Sequence, residues 1–165
     1  MTEPVGILYN KKCGTEPAGI PGRSGGRGVK GERTVNLHQE YQRKLRTPEE
    51  AVQAVKSGDW VDYTTNVCFP PLLDAALAKR RDELTDVKVR GNLLFGPLQI
   101  VECDPTREHF CYHSWHCSAY ERKLSDRGLC SYIPMIFRNV VPYYRHFLTV
   151  NVAMMCVPPM DCLLY

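Results

Sequence analysis

The chain has 165 residues, of which 44% are hydrophobic and 24% charged, a composition typical of globular proteins rather than fibrous, disordered or membrane-spanning ones. Its net charge of +3 is carried by residues 1–36, which contain six Lys or Arg and three Glu, so the remainder is formally neutral. A neutral folded region lacks the clustered cationic surface that nucleic acids and anionic membranes require, and we expect neither as a partner.

The cysteines and the hydropathy of the chain predict a cytoplasmic protein. The eight cysteines are scattered, and no cationic and apolar secretory signal opens the sequence. No run reaches the roughly 18 apolar residues of a membrane span, because Pro158-Pro159 interrupts the most apolar stretch.

Residues 1–38 are predicted to be a flexible leader. Seven of the twelve glycines lie between Gly14 and Gly31, in a stretch with no helical or strand period. A phosphate-binding glycine loop is the alternative, but it requires a preceding strand and a following helix, and neither pattern is visible.

From residue 39 onward, helical and strand patterns alternate. Thr47-Pro48-Glu49-Glu50 and Ser118-x-x-Glu121 are capping boxes that predict two helices, ended by Gly58 and Gly128, and Pro70-Pro71 opens another. A short helical segment is predicted at 142–147, and strands at 60–64, 87–89, 110–115, 129–133 and 150–157. This alternation predicts an α/β domain with an open, mainly parallel sheet and crossover helices.

The apolar run at 150–157 is typical of a strand buried on both faces. Only eight residues follow it, which leaves no helix to cover it. We therefore expect residues 39–165 to be an α/β domain truncated at its C-terminus.

The densest group of metal-competent side chains predicts packing, with a zinc site and a substrate-facing strand end as the alternatives. Structural zinc sites favour two short-spaced ligand pairs on a loop-rich segment, whereas these residues fall across a predicted strand. Alternation along that strand places Cys111, His113 and Trp115 on one face. The group consists of Cys103, His109, Cys111, His113, His116 and Cys117.

The most promising substrate-binding residues are Thr64, Thr65 and Asn66. They follow a predicted strand, and ligands of open α/β sheets gather beyond the carboxyl ends of strands. Their hydroxyl and amide groups suit a polar ligand, although an ordinary strand-to-helix connection is the simpler interpretation. We identify no catalytic residue, because no Ser lies in a G-x-S-x-G motif and the nearby Asp59 and Asp62 fall on opposite faces of a strand.

Four long blocks carry a resemblance to a known family. They are YQRKLRTPEEAVQAVKSGDWVDY, LLDAALAKRRDELTDVKVRGNLLFGPLQIVECDPTREHF, SWHCSAYERKLSDRGLCSYIPMIFRNVVPYY and VNVAMMCVPPMD. From Tyr41 to Asp161 the chain resembles the N-terminal half of family I CoA-transferases, in the acetyl-CoA hydrolase/transferase branch that contains butyryl-CoA:acetate and 4-hydroxybutyrate CoA-transferases.

The resemblance implies a two-domain enzyme whose active site lies between similar α/β halves. Its substrates would be an acyl-CoA, with the CoA thioester as substrate rather than cofactor, and a short-chain carboxylate. A Glu carboxylate would attack the thioester, and CoA would then pass through a glutamyl-CoA thioester to a second carboxylic acid. That Glu and a Gly-rich CoA-binding turn of GIGGIP type belong to the C-terminal half, so no Glu of this sequence inherits the role.

The sequence thus predicts the N-terminal portion of an acyl-CoA:carboxylate CoA-transferase that is inactive alone and is completed by a C-terminal half or by homo-oligomer formation. Two alternatives stay open: an acetyl-CoA hydrolase activity of the full-length enzyme, and a non-catalytic module that binds CoA or zinc.

Overall fold

The computed structural model describes Ile7–Tyr9 and residues 37–157, and the chain divides into two units. The unit formed by Lys12–Leu45 contains, in its described part, helix α1 (Leu37–Lys44). The predicted boundary between residues 38 and 39 falls within α1. The Gly-rich stretch of the predicted leader lies outside the described residues, so its flexibility stays a prediction.

The second unit, Met1–Lys11 and Arg46–Tyr165, contains a six-stranded sheet with the order β1-β6-β2-β3-β4-β5. Strands β2 to β6 are parallel, and β1 pairs antiparallel with β6 at the edge. The mainly parallel α/β sheet predicted from the sequence is therefore confirmed, although the predicted leader contributes one strand to it. The strands are β1 (Ile7–Tyr9), β2 (Trp60–Tyr63), β3 (Val87–Gly91), β4 (Phe110–Ser114), β5 (Ser131–Tyr132) and β6 (Val152–Met155).

Both predicted capping boxes start helices. The Thr47 side chain accepts from the Glu50 amide and Glu50 accepts from the Thr47 amide, and Ser118 and Glu121 repeat this exchange. The helices of this unit are α2 (Pro48–Ala51), α3 (Pro71–Ala78), α4 (Gln99–Glu102), α5 (Ala119–Asp126) and α6 (Val140–His146).

The predicted ends of these helices were right in one case and wrong in the other. Gly128 has φ +72°, the Leu129 amide donates to the Leu124 carbonyl and the Gly128 amide to Ser125, which is the Schellman pattern. Gly58 has φ +82° but does not end α2, since that helix becomes a 3-10 turn at 52–54. Gly58 instead lies in the turn that leads into β2, where its amide donates to the carbonyl of Thr85.

Alternation along the strands gives the sheet two different faces. One face is apolar and joins Val61, Val89, Tyr112 and Met154 to the buried side chains of α3, α4 and α5 in a single core. The opposite face carries Trp60, Asp62, Arg90, Cys111 and His113, which neighbouring registers bring side by side. Polar and ionisable side chains of the strands are therefore concentrated on the second face.

The continuous apolar sequence of β6 predicted a strand buried on both faces, and this prediction is wrong for the described residues, because only one face is buried. Val152 and Met154 are buried in the core, whereas Ala153 and Met155 on the other face are half-buried. The run is apolar on both faces although only one is covered in the described part of the chain. Among the helices at 37–157, none combines the length and apolar composition that crossing a bilayer requires.

Candidate functional site

The carboxyl ends of the parallel strands meet at one edge of the sheet, which we call the carboxyl edge. Chain order runs β2, β3, β4, β5 in one direction and then returns to place β6 on the other side of β2. The strand order therefore changes direction between β6 and β2, and in open α/β sheets ligands bind beyond the carboxyl ends at such a point.

The predicted residues Thr64, Thr65 and Asn66 lie at this position. The Thr64 amide donates to the Met154 carbonyl of β6 (3.3 Å), and the Asn66 amide donates to the Asn92 carbonyl beyond β3 (3.4 Å). The Thr64 hydroxyl donates to the Cys68 carbonyl (2.6 Å), so this group is engaged in closing the loop. Thr65 is exposed, and Asn66 adopts a left-handed conformation with φ +51°.

The loop after β3 is a second part of this edge, and sequence reasoning did not identify it. Asn92 is buried, and Leu93 has φ +51°, an unfavourable conformation for a residue other than glycine. The Leu93 amide donates to the His116 carbonyl beyond β4 (2.8 Å). Asn66 and Leu93 thus give each of these two adjacent loops one left-handed residue.

On the core side of the sheet, the buried carboxyl group of Asp74 accepts hydrogen bonds from two neighbouring elements. Asp74 accepts the Tyr63 hydroxyl (3.0 Å) and the Gln99 amide at the start of α4 (2.6 Å). Burial raises the pKa of Asp74 to about 6, although the hydrogen bonds from Gln99, Tyr63 and Ile100 oppose the rise. The side chain of Asp74 therefore holds α4 near the carboxyl edge.

A buried ion pair occupies the opposite face. Arg90 Nη2 lies 2.7 Å from Asp62 Oδ1 and donates to the Thr149 carbonyl (2.9 Å). The guanidinium carbon lies 4.9 Å from the ring centre of Trp60 and 5.0 Å from that of Tyr144, so two aromatic faces enclose the cation. Burial raises the pKa of Asp62 despite the neighbouring Arg90 and the hydrogen bond from Tyr144. The cluster attaches α6 to the sheet.

The six Cys and His residues of the predicted packing group are dispersed. Cys111 and His113 share a face as expected, while Trp115 follows the end of β4 and packs on Phe137 at 6.3 Å between ring centres. The His113 ring lies 5.2 Å from Trp60, and burial and nearby cations lower its pKa, which favours the neutral ring. Within the described residues, no three Cys, His, Asp or Glu side chains converge on a position that suits a metal ion.

Several large apolar side chains project from the carboxyl edge. Val67 is 86% exposed in the loop after β2, Phe95 is 68% exposed after β3, and Phe137 is 80% exposed beyond β5. Three loops that follow β2, β3 and β5 thus each expose a large apolar side chain.

Comparison with known proteins assigns most of the chain to one family. The sequence profile of the acetyl-CoA hydrolase/transferase N-terminal domain matches residues 30–161. The chain is 44% identical over 128 residues to the butyryl-CoA:acetate CoA-transferase of Anaerostipes caccae, a match that covers 77% of this chain and 29% of that protein. It is 40% identical over 126 residues to a probable butyrate:acetyl-CoA coenzyme A-transferase of Syntrophomonas wolfei, covering 76% and 28%.

The fold is also similar to a solved structure. The crystal structure of RipA from Yersinia pestis superposes with a TM-score of 0.68 and 26% sequence identity, over 78% of this chain and 32% of that one. The chain thus spans about three-tenths of the length of the proteins that it matches.

Proposed function

Because the chain belongs to the acetyl-CoA hydrolase/transferase family, whose N-terminal domain it represents, we propose that it forms the N-terminal part of an acyl-CoA:carboxylate CoA-transferase of the butyryl-CoA:acetate or 4-hydroxybutyrate type. The observation that carries the proposal is the 44% identity over 128 residues to a butyryl-CoA:acetate CoA-transferase. The substrates would be an acyl-CoA and a short-chain carboxylate.

In this proposal the carboxyl edge forms one wall of the substrate site. Thr65 and Asn66 supply polar groups from the loop after β2, and the loop after β3 lies beside them through the Asn66–Asn92 hydrogen bond. The change of strand direction between β6 and β2 supports this location. The exposed Val67, Phe95 and Phe137 then pack against a second lobe or a second copy of the chain.

No glutamate of residues 41–157 is identified as a nucleophile, and the chain by itself is proposed to be inactive. Among residues 41–157 the buried glutamate is Glu121, and its carboxylate is occupied by three hydrogen bonds from Tyr112, Ser118 and Leu94. The other glutamates in this range are exposed. By family resemblance the nucleophilic Glu comes from a C-terminal half.

The compartment is also part of the proposal. Six cysteines of the described residues carry free thiols, which supports a reducing, cytoplasmic setting.

A chimeric enzyme tests the proposal. The matched 128 residues of the Anaerostipes caccae transferase are replaced by the corresponding residues of this chain, and formation of acetyl-CoA from butyryl-CoA and acetate is followed by chromatography. We expect the chimera to catalyse transfer and the isolated 165-residue chain to show none. A folded but inactive chimera contradicts the assignment, and turnover by the isolated chain contradicts its inactivity.

The same assay separates transferase from hydrolase activity. With acetate omitted, a transferase lacks an acceptor and releases little CoA, whereas a hydrolase releases CoA at its full rate. The family contains both activities, so this comparison decides which one the N-terminal domain of this chain supports.

A further inference from the structure

The loop after β3, which contains the left-handed Leu93, is contacted by Glu121 of α5 and by the N-cap residue Ser118. The Leu94 amide donates to Glu121 Oε2 (3.1 Å), and the Ser118 hydroxyl donates to the Leu94 carbonyl. Leu94 is therefore fixed through both its amide and its carbonyl, immediately after the left-handed Leu93. Since the Asn92 carbonyl accepts the Asn66 amide, the same contacts also support the loop after β2.

Glu121 performs two functions with one carboxylate. Oε2 accepts the Ser118 amide (2.8 Å), as a capping box requires, and also the Leu94 amide, 27 residues away in sequence. Oε1 accepts the Tyr112 hydroxyl (2.6 Å), and the side chain is completely buried. A capping box needs only the first of these bonds, so the bonds to Leu94 and Tyr112 are additional to helix capping.

The packing around this carboxylate leaves little freedom for adjustment. A Cβ atom at Gly91, the last residue of β3, would lie 2.8 Å from the Tyr112 hydroxyl oxygen and 3.2 Å from Leu94 Cδ1. The Tyr112 hydroxyl is itself fixed by Glu121. The end of β3, the loop after it and the start of α5 are therefore in direct contact with one another.

We propose that Glu121 is a positioning residue for substrate binding, which holds the backbone of residues 92–94 at the carboxyl edge in the conformation that the acyl-CoA or carboxylate contacts. The identity of the ligand in this inference rests on the proposed function, whereas the hydrogen bonds of Glu121 are observed independently of it. Glu121 does not touch substrate. It acts through the Leu94 amide and, one step further, through the Asn92–Asn66 contact.

The chain supplies a matched control for Glu121. Glu50 occupies the same position in the capping box of α2, where its carboxylate accepts the Thr47 amide at 3.0 Å on an exposed surface. None of the contacts described for Glu50 reaches a loop of the carboxyl edge. A change at Glu50 therefore measures the loss of helix capping alone.

The first experiment measures amide hydrogen exchange in the 165-residue chain. Glu121→Asp keeps the carboxyl group and the capping position but withdraws it by one methylene, so the bond to Leu94 is lost. We expect exchange across residues 92–98 to accelerate about tenfold or more, because a buried amide loses its acceptor. Glu121→Gln retains an acceptor for both amides and is expected to restore most of the protection, while Glu50→Asp leaves residues 92–98 unchanged.

The second experiment measures the functional consequence in the chimeric enzyme. Glu121→Asp is expected to raise KM for butyryl-CoA or acetate by about tenfold with a smaller change in kcat, because it removes order from the binding loop and not a group that reacts. Glu121→Gln is expected to recover KM, and Glu50→Asp to leave it unaltered.

The two failures are distinguishable. An inactive chimera with native residues refutes the proposed function, and the exchange result is unaffected by it. Unchanged exchange at residues 92–98 in a folded Glu121→Asp variant refutes the positioning role. Faster exchange at residues 92–98 together with an unchanged KM refutes the claim that this loop contacts the substrate.

Discussion

Individual buried carboxylates in this domain hold backbone amides. Asp104 accepts the amides of Glu108, His109 and Phe110 at the start of β4, Asp74 accepts the Gln99 amide at the start of α4, and Glu121 accepts the Leu94 amide after β3. Burial alone would raise the pKa of Asp104, but its hydrogen bonds outweigh this and the pKa is lowered. For Asp74 burial prevails. The same residue type thus acquires opposite pKa shifts according to the balance between burial and hydrogen bonding.

The raised pKa of Asp74 predicts a pH dependence of stability. Burial raises the pKa of Asp74 in the folded state to about 6, above the ordinary aspartate pKa of 3.8. Between these values the folded state binds more protons than the unfolded state, so the contribution of Asp74 to the free energy of unfolding is full below about pH 4 and is lost as the pH rises through 6.

Comparison with Asp74→Asn isolates this effect, since Asn does not titrate. The free energy of unfolding of the native protein, minus that of the variant, is expected to fall by up to about 3 kcal/mol between pH 4 and pH 7. Urea denaturation at the two pH values measures it. An equal difference in the free energy of unfolding at both pH values would show that folding does not shift the pKa of Asp74.

At the scale of the elements, helix starts are encoded locally and helix ends less so. Both capping boxes formed as the sequence predicted, because each needs only residues three positions apart. Helix α3 stops at Ala78 although its apolar pattern continues to Leu84. Beyond its end, Arg80 donates to the Val55 carbonyl (3.1 Å), a contact that the pattern does not reveal.

The end of α5 provides a test of local encoding. A Cβ atom would meet nothing within 4 Å at either Gly128 or Gly96, but only Gly128 of the two has a left-handed φ. Gly128→Ala is expected to lower the free energy of unfolding by about 1 kcal/mol or more. Gly96→Ala is expected to be neutral or stabilising by about 0.4–1 kcal/mol. Equal effects in chemical denaturation would show that backbone conformation does not distinguish the two sites.

For the whole molecule, the distribution of apolar surface is the informative feature. The core side of the sheet is covered by α3, α4 and α5, while the carboxyl edge projects Val67, Phe95 and Phe137. The relatives of this chain are more than three times as long as the matched segment. This agrees with the proposal that the edge is covered by a second lobe or a second copy when the enzyme is assembled.

We therefore expect the isolated chain to self-associate through this edge. The double substitution Phe95→Ser and Phe137→Ser removes two exposed rings without entering the core, and should shift the protein towards monomer in analytical ultracentrifugation. Lys123→Ser, an exposed change on α5, serves as the control and should have no effect. If the double variant sediments like the native chain, association uses another surface.

The sequence by itself determined the features that depend on neighbouring residues. The capping boxes, the alternation of strands and helices and the approximate position of Thr64, Thr65 and Asn66 all follow from spacings of a few residues, and family-specific blocks identified the family. Tertiary structure decided the rest. The Glu121–Leu94 bond joins residues 27 apart, the Trp60 amide donates to Asn151 from 91 residues away, and the Asp62–Arg90 pair requires the register of two strands. No local pattern specifies such pairs, because they depend on which strands become neighbours and on how the helices between them pack.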